Sequence, residues 1–406
     1  MKLDRLLGTL SILLIGAFYY IKFSDSLDPF FQGQSTHETL FIILALFFVI
    51  SYSFTTTKIA LKGRFTYAFI IYFVWLWLSS VFATLHHPFG SMNLVGLLFL
   101  PLLSFMLMYK TAFTITDKSK KILVLTIVIF VVFLSIQYMT NRASLLSIIT
   151  QSTQASGGAY FPVVLLPFVL LIPNNVLKYS LAILLAVVSL FSAKRGGAIA
   201  VGVAILSCLF MDFFVSSQNA NKKKRFKFLL VILAICIIGA YYAPQLLSDE
   251  TTELAERFEE GDYANSSRSF IYGKVIRMIF SSNLFYMFFG HGWDAVLSDG
   301  NMGYSAHNDF LESFYDFGFL GFLFYLYLHL QLFKESHRLI KMHSTYAGPF
   351  LASWLMFLVF GSVSHIILYP PMTIAFAMFW GFVKGNVESQ KRKLISDNQN
   401  VVSKCV

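Results

Sequence analysis

Residues 122–139 read ILVLTIVIFVVFLSIQYM, eighteen residues without a charge, entered through Lys118, Lys120 and Lys121 and left through Asn141 and Arg142. Coiled as an α-helix at about 1.5 Å per residue, such a run approaches the hydrocarbon thickness of a bilayer. The helix also satisfies every backbone N–H and C=O within the segment, which hydrocarbon demands. Comparable apolar stretches centre on 6–23, 39–55, 66–85, 92–109, 160–173, 178–193, 197–216, 227–245, 315–333, 348–366 and 368–384, so twelve spans are predicted. The composition agrees. Of 406 residues, 57% are hydrophobic and 13% charged, with a mean hydropathy of +0.68. A soluble domain needs about a quarter of its residues charged to cover its surface, so a water-soluble globular protein is excluded. The expected fold is all-α: a polytopic membrane helix bundle of about twelve transmembrane helices, with one long outer loop containing short helices.

The net charge of +10 is informative through its placement. With the N-terminus on the cytoplasmic side, 23 of the 31 Lys and Arg fall in cytoplasmic segments, as the positive-inside rule requires. Both termini are then cytoplasmic, and the basic surplus serves topology and contact with membrane lipids, not nucleic acid. The first run, Leu6 to Phe23, lacks a small-residue cleavage site and reads as an uncleaved span. Eight cations remain outside: Lys22, Arg142, Lys194, Arg195, Arg257, Arg268, Lys274 and Arg277. Six of these cluster in the 193–196 turn and in the loop that follows span nine. Cys208, Cys236 and Cys405 form no disulfide framework, and no Cys/His spacing suggests a zinc site.

The chain therefore divides into spans one to nine over 1–245, an outer loop over 246–314, spans ten to twelve over 315–384, and a basic cytoplasmic tail over 385–406. The loop begins with an acidic stretch, Ser248 to Asp262. Ser266 and Ser267 then cap a helix running to about Phe280. Its apolar positions Ile271, Val275, Met278 and Ile279 share one face, with Lys274 and Arg277 on another, a pattern that suits a helix lying on the membrane surface. A Gly290-His291-Gly292-Trp293 turn follows. From His307 the chain is expected to run as one unbroken helix into span ten. At 100° per residue, His307, Leu311, Phe314, Gly318 and Gly321 then share a stripe of about 80°. Gly318 and Gly321 would let a neighbouring helix approach closely.

His307-Asn308, nine residues, Gly318, two residues and Gly321 together resemble the motif of the O-antigen ligase and polymerase family, multispanning bacterial glycan transferases. Ser192-Ala193-Lys194-Arg195-Gly196-Gly197 is similar to the arginine turn of that family. Arg268 and Gly290-His291-Gly292 resemble the lead-in to its histidine motif. The one departure is Ile199, where the ligase version of the arginine motif has Leu; with the Lys-Arg-Gly-Gly turn, it tips the reading towards the polymerase.

The resemblance implies a donor glycan on undecaprenyl diphosphate, an active site on the periplasmic face of the bacterial inner (plasma) membrane, and no metal or other cofactor. The acceptor is a lipid-linked repeat unit in a polymerase and lipid A-core in a ligase. A chain-length regulator is a possible partner of a polymerase. Arg195 and Arg268 are the candidate grips for the diphosphate, because guanidinium is always charged and holds phosphate oxygens bidentately. Lys194 and Arg277 stand second to them. His307 is the candidate general base, Asn308 orients it or the acceptor, and Glu312 is a less favoured base or a substrate contact. Twelve spans also suit a transporter of lipid-linked sugars, but the chain has no internal repeat and no charge placed at mid-membrane.

Overall fold

A computed structural model describes residues 2–27, 36–55, 61–86, 92–148, 157–192, 195–212, 261–299 and 305–402. Among the described residues the ordered structure is helical, with no strand. In chain order the helices are α1 (Lys2–Leu27), α2 (Thr36–Thr55), α3 (Arg64–His86), α4 (Met92–Thr114), α5 (Asp117–Ile148), α6 (Tyr160–Val164), α7 (Leu166–Val169), α8 (Asn175–Phe191), α9 (Arg195–Phe210), α10 (Gly261–Ser281), α11 (Leu284–Phe289), α12 (Ala295–Asp299), α13 (Asp309–Lys341), α14 (Ala347–Val363) and α15 (Pro370–Val402). Among the described residues, four helical stretches are long and apolar enough to cross a membrane: Leu6–Leu27, Arg64–Phe82, Asp117–Asn141 and Asp309–Lys341. Shorter apolar stretches are Leu40–Ser53, Leu98–Thr114, Asn175–Phe191, Gly196–Phe210 and Ala347–Val363. Span nine and the acidic stretch Ser248–Glu260 lie outside the described residues.

The first half of α15 is the axis of the bundle. Ile374, Phe376, Ala377 and Phe379 have no exposed surface, as a helix apolar on all sides requires. Gly381 and Gly385, four residues apart, lay it directly on the backbone of α4: a Cβ at either would come within 2.3 Å of Phe105 O or 2.2 Å of Tyr109 O. Small residues at this spacing bring membrane helices together by shape, where lipid supplies no hydrophobic drive. At one end of the bundle Lys384 bonds Glu335 of α13 at 3.4 Å and lies against Gly63, just before α3. Lys178 of α8 pairs with Asp212, just beyond α9.

The stretch predicted as span six is instead a broken plug. Pro162 and Pro167 each remove an N–H and prevent a continuous helix, so the chain forms two single turns, α6 and α7, meeting at Leu165. Phe161 to Leu170 are buried, and the Tyr19 hydroxyl of α1 donates to Phe161 O at 2.6 Å.

The larger departure lies in α13. Gly318 has φ +74° and ψ 178°, so the helix does not run unbroken from the motif into span ten. Phe310 stacks on the ring of His329 at 5.7 Å and meets Tyr325 at 5.0 Å. Along a continuous helix, residues 310 and 329 would stand about 28 Å apart. Phe314 likewise stacks on Phe322 at 5.3 Å. The chain rises through a short arm, 309–317, reverses at Gly318 and descends through 319–341, still long enough to cross a bilayer. The predicted stripe of His307, Leu311, Phe314, Gly318 and Gly321 along one helix face therefore does not exist as such.

Candidate active site

The reversal exposes the carbonyls that end the short arm, and each finds a donor. Tyr315 O accepts from His291 N at 3.2 Å, and Asp316 O from Gly292 N at 2.7 Å. Phe317 O accepts from the indole Nε1 of Trp75 on α3 at 2.9 Å. Ser79, one turn further along α3, donates to Phe289 O at 2.8 Å. A helix terminus inside a bilayer survives only with such partners. Backbone lies on backbone here: a Cβ on Gly318 would stand 2.4 Å from Phe288 O, and one on Gly290 (φ +89°) would stand 2.3 Å from Asp316 O. Gly321 has Ser313 O of the short arm, Phe317 and Trp75 against it. The two motif glycines thus serve the corner and the close approach of the two arms of α13.

The Gly290-His291-Gly292 turn fastens this corner. The His291 ring is stacked between Tyr286, at 4.8 Å, and Tyr315, at 4.2 Å, with Ser282 Oγ 2.8 Å from its Nε2. Asp316 Oδ1 accepts the Val296 N–H and so holds α12. Beside this turn the partly buried Asp294 has its carboxyl pushed up to about 6 by loss of solvation. The apolar face of α10 does not lie on a membrane surface: Val275 and Ile279 are buried, packing with Ile271 and Met278 against α12, Leu311, Phe314 and Tyr315. That face spends its apolar area on the short arm, while Arg277 is exposed.

The short arm starts at the motif histidine. Asn308 is its N-cap, with Oδ1 accepting from Phe310 N at 3.0 Å and Leu311 N at 3.2 Å. His307 stands just before the cap in the left-handed region, φ +52°. Its backbone N–H donates to Glu312 Oε1 at 3.1 Å. Glu312 is 1% exposed, so its carboxyl is committed to the shape of this loop. The remaining Asn308 and Asp309 groups reach across to the last turn of α14 and to the turn that follows it. Asn308 Nδ2 donates to Ser362 O at 3.2 Å, and Asp309 Oδ1 accepts from Ile367 N at 3.3 Å.

Between those two ties sits His365. Its Nδ1 lies 2.8 Å from His307 Nδ1 and 3.0 Å from Ser305 Oγ, and the two imidazole rings are 4.7 Å apart. Sequence reasoning missed His365, which is 58 residues from its partner. The available signal was a Ser-His step interrupting the apolar run at the end of span eleven.

The arginine turn is brought to the same end of the bundle by its glycines. A Cβ on Gly196 would stand 2.7 Å from Val363 Cγ2, and one on Gly197 would meet Ser189 and Tyr160. The start of α9 therefore abuts the end of α14, two residues before His365. Arg195 is the first residue of α9 and Arg268 lies within α10, while Lys194 lies outside the described residues. Among the described residues no group of three or more His, Cys, Asp or Glu is arranged to hold a metal ion.

This end of the bundle joins an imidazole pair, a helix N-terminus entered through an arginine, and a loop whose polar groups tie it to α13 and to the turn after α14. No curated protein matches the chain. Residues 180–326, which run from α8 through the arginine turn, the His307 loop and the reversal at Gly318, match the family model described as O-antigen ligase, and with it the O-antigen ligase and polymerase family.

Proposed function

We propose that the protein is a membrane polymerase of bacterial surface polysaccharide, O-antigen or capsule. It transfers a glycan from undecaprenyl diphosphate onto a lipid-linked repeat unit on the periplasmic face of the inner membrane. The observation that carries the reading is His307, held beside His365 on a capped loop within the stretch that matches the family. In this reading the end carrying Lys178, Arg338, Lys384 and Lys391 faces the cytoplasm, which the positive-inside rule supports, and His307 faces the periplasm. The proposed division is unchanged, spans one to nine over 1–245, outer loop over 246–314, spans ten to twelve over 315–384 and tail over 385–406. The last loop residues belong to the short arm of α13.

In this reading His307 takes the proton of the acceptor hydroxyl. The oxygen lone pair forms the new bond to the anomeric carbon, and the carbon–oxygen bond to the diphosphate breaks, its electrons leaving with the diphosphate. Arg195 and Arg268 neutralise that developing charge, which counts for most at the low-dielectric edge of a bilayer. Lys194 and Arg277 add to the field that draws the donor in. Asn308 and Glu312 orient the base through the loop. Gly318 and Gly321 shape the hairpin that carries it.

The description of the matched family favours a second reading, ligation of finished glycan to lipid A-core. A glycan ladder from cells lacking the gene separates the two. A single repeat unit on the anchor indicates the polymerase, and long chains left on the carrier with a bare anchor indicate the ligase. His307→Ala and Arg195→Ala are each expected to abolish transfer at wild-type membrane abundance. Full activity in either variant removes that residue from the mechanism.

A further inference from the structure

Nδ1 of His307 and Nδ1 of His365 are 2.8 Å apart, which requires one to carry a proton and the other to present a lone pair. Two protonated imidazoles cannot face each other this way, so the pair holds at most one positive charge. We propose that His365 is the positioning residue for His307: it accepts the His307 Nδ1–H, thereby holds the tautomer whose Nε2 lone pair takes the acceptor proton, and then shares the charge of the imidazolium formed. This deepens the transferase reading and rests on it.

The geometry is built for the task. The turn bearing His365 is tied on both sides of the histidine, at Ser362 O by Asn308 and at Ile367 N by Asp309. The residues that cap the short arm therefore also set the distance between the two rings. Ser305 Oγ lies 3.0 Å from the same His365 Nδ1 and packs the far side of the ring against the loop that carries His307. On the other side the His307 backbone is held by Glu312. His365 thus plays the part that a carboxylate plays behind a catalytic histidine, but as a neutral group. A neutral partner orients the ring and stabilises the imidazolium less than a carboxylate would. That leaves the base weaker and quicker to return its proton.

Among the described residues, the titratable groups tied to the two loops that carry the pair are Glu312 and Asp309 on α13, with Tyr325 over Gly361. None of them changes in the experiment, so a displaced pH profile reports on residue 365. The assay is turnover by the purified full-length protein in lipid nanodiscs, with polyprenyl-diphosphate-linked glycan extracted from a host strain lacking the gene, across a pH series.

His365→Ala is expected to lower kcat about a hundredfold with KM little changed. His365→Gln, whose amide oxygen still accepts the Nδ1–H, is expected to recover most of that loss. His365→Asp is expected to move the acidic limb up by about one pH unit or more, because a carboxylate favours the imidazolium. Wild-type turnover and an unmoved limb in His365→Ala would overturn the proposal. So would Gln and Asp variants that are as slow as Ala at equal abundance and thermal stability. Full turnover in His307→Ala would instead remove the base itself, and with it the reading on which the proposal rests.

Discussion

Replacing Gly318 by alanine separates the observed reversal from a continuous helix by the sign of its effect. In an unbroken helix, Gly→Ala within the interior stabilises by about 1 kcal/mol. At the corner, φ is +74° and ψ 178°, a region that costs a residue with a Cβ about 1–3 kcal/mol. The added Cβ also meets Phe288 O at 2.4 Å and Gly290 N at 2.5 Å. These are backbone atoms anchored through Ser79 and through the His291 and Gly292 N–H bonds, so they have little room to yield. Such overpacking adds about 1–3 kcal/mol, for a total loss of about 2–6 kcal/mol.

The assay is reversible unfolding in mixed detergent, with Gly202→Ala as the control. Gly202 lies in α9, where an added Cβ would meet nothing within 4 Å, so that substitution is expected to stabilise by about 1 kcal/mol. Cysteines at positions 310 and 329 give a direct check, since a short thiol crosslinker joins them only if the arms fold back. If Gly318→Ala is as stable as the wild type or more so, and the crosslink fails, the reversal is refuted. The placement of His307 inside the bundle then falls with it.

Trp75→Phe keeps a ring against Phe289 and Phe324 but removes the donor to Phe317 O, and is expected to cost about 1–3 kcal/mol because that carbonyl lies away from water. An unchanged unfolding midpoint would mean that another donor serves this carbonyl. Asp294, whose carboxyl is raised to about 6 by burial, contributes stability that is complete below its unfolded pKa near 4 and lost as pH rises through about 6. Asp294→Asn, tolerable at φ +60° because Asn accepts the left-handed region, is expected to flatten the stability profile between about pH 4 and 7. A profile identical to that of the wild type would contradict the burial argument.

The parts of the site that were legible in the sequence are those whose signal is local. Asn308 is of a residue type that caps helices, but with the helix expected to start at His307 its capping role was found only in the structure, where the helix begins one residue after it. The glycine spacing at 318 and 321 pointed to close packing against a neighbouring helix, and close packing is found: Gly318 lies on the end of α11, while Gly321 lies between the short arm of its own hairpin and Trp75 of α3. The apolar face of α10 was correctly recognised as a face, but periodicity does not distinguish lipid from protein as its cover. His365 carried no such signal. A lone histidine in a turn acquires meaning only when another segment delivers a second nitrogen to it.

What the sequence by itself determined is the class of structure. Charge-poor runs of nearly bilayer length must form helices, because hydrocarbon leaves backbone groups no other partner within the segment, and prolines and glycines mark where those helices can fail. What only the tertiary structure decided is where the chain turns back and which side chains then meet. A glycine at position 318 is compatible with a helix or with a corner. The corner is selected by Trp75, Ser79, His291 and Gly292, which supply donors for three freed carbonyls from two distant parts of the chain. The His307–His365 pair exists for the same reason: it depends on contacts between segments far apart in sequence, which helical periodicity does not encode.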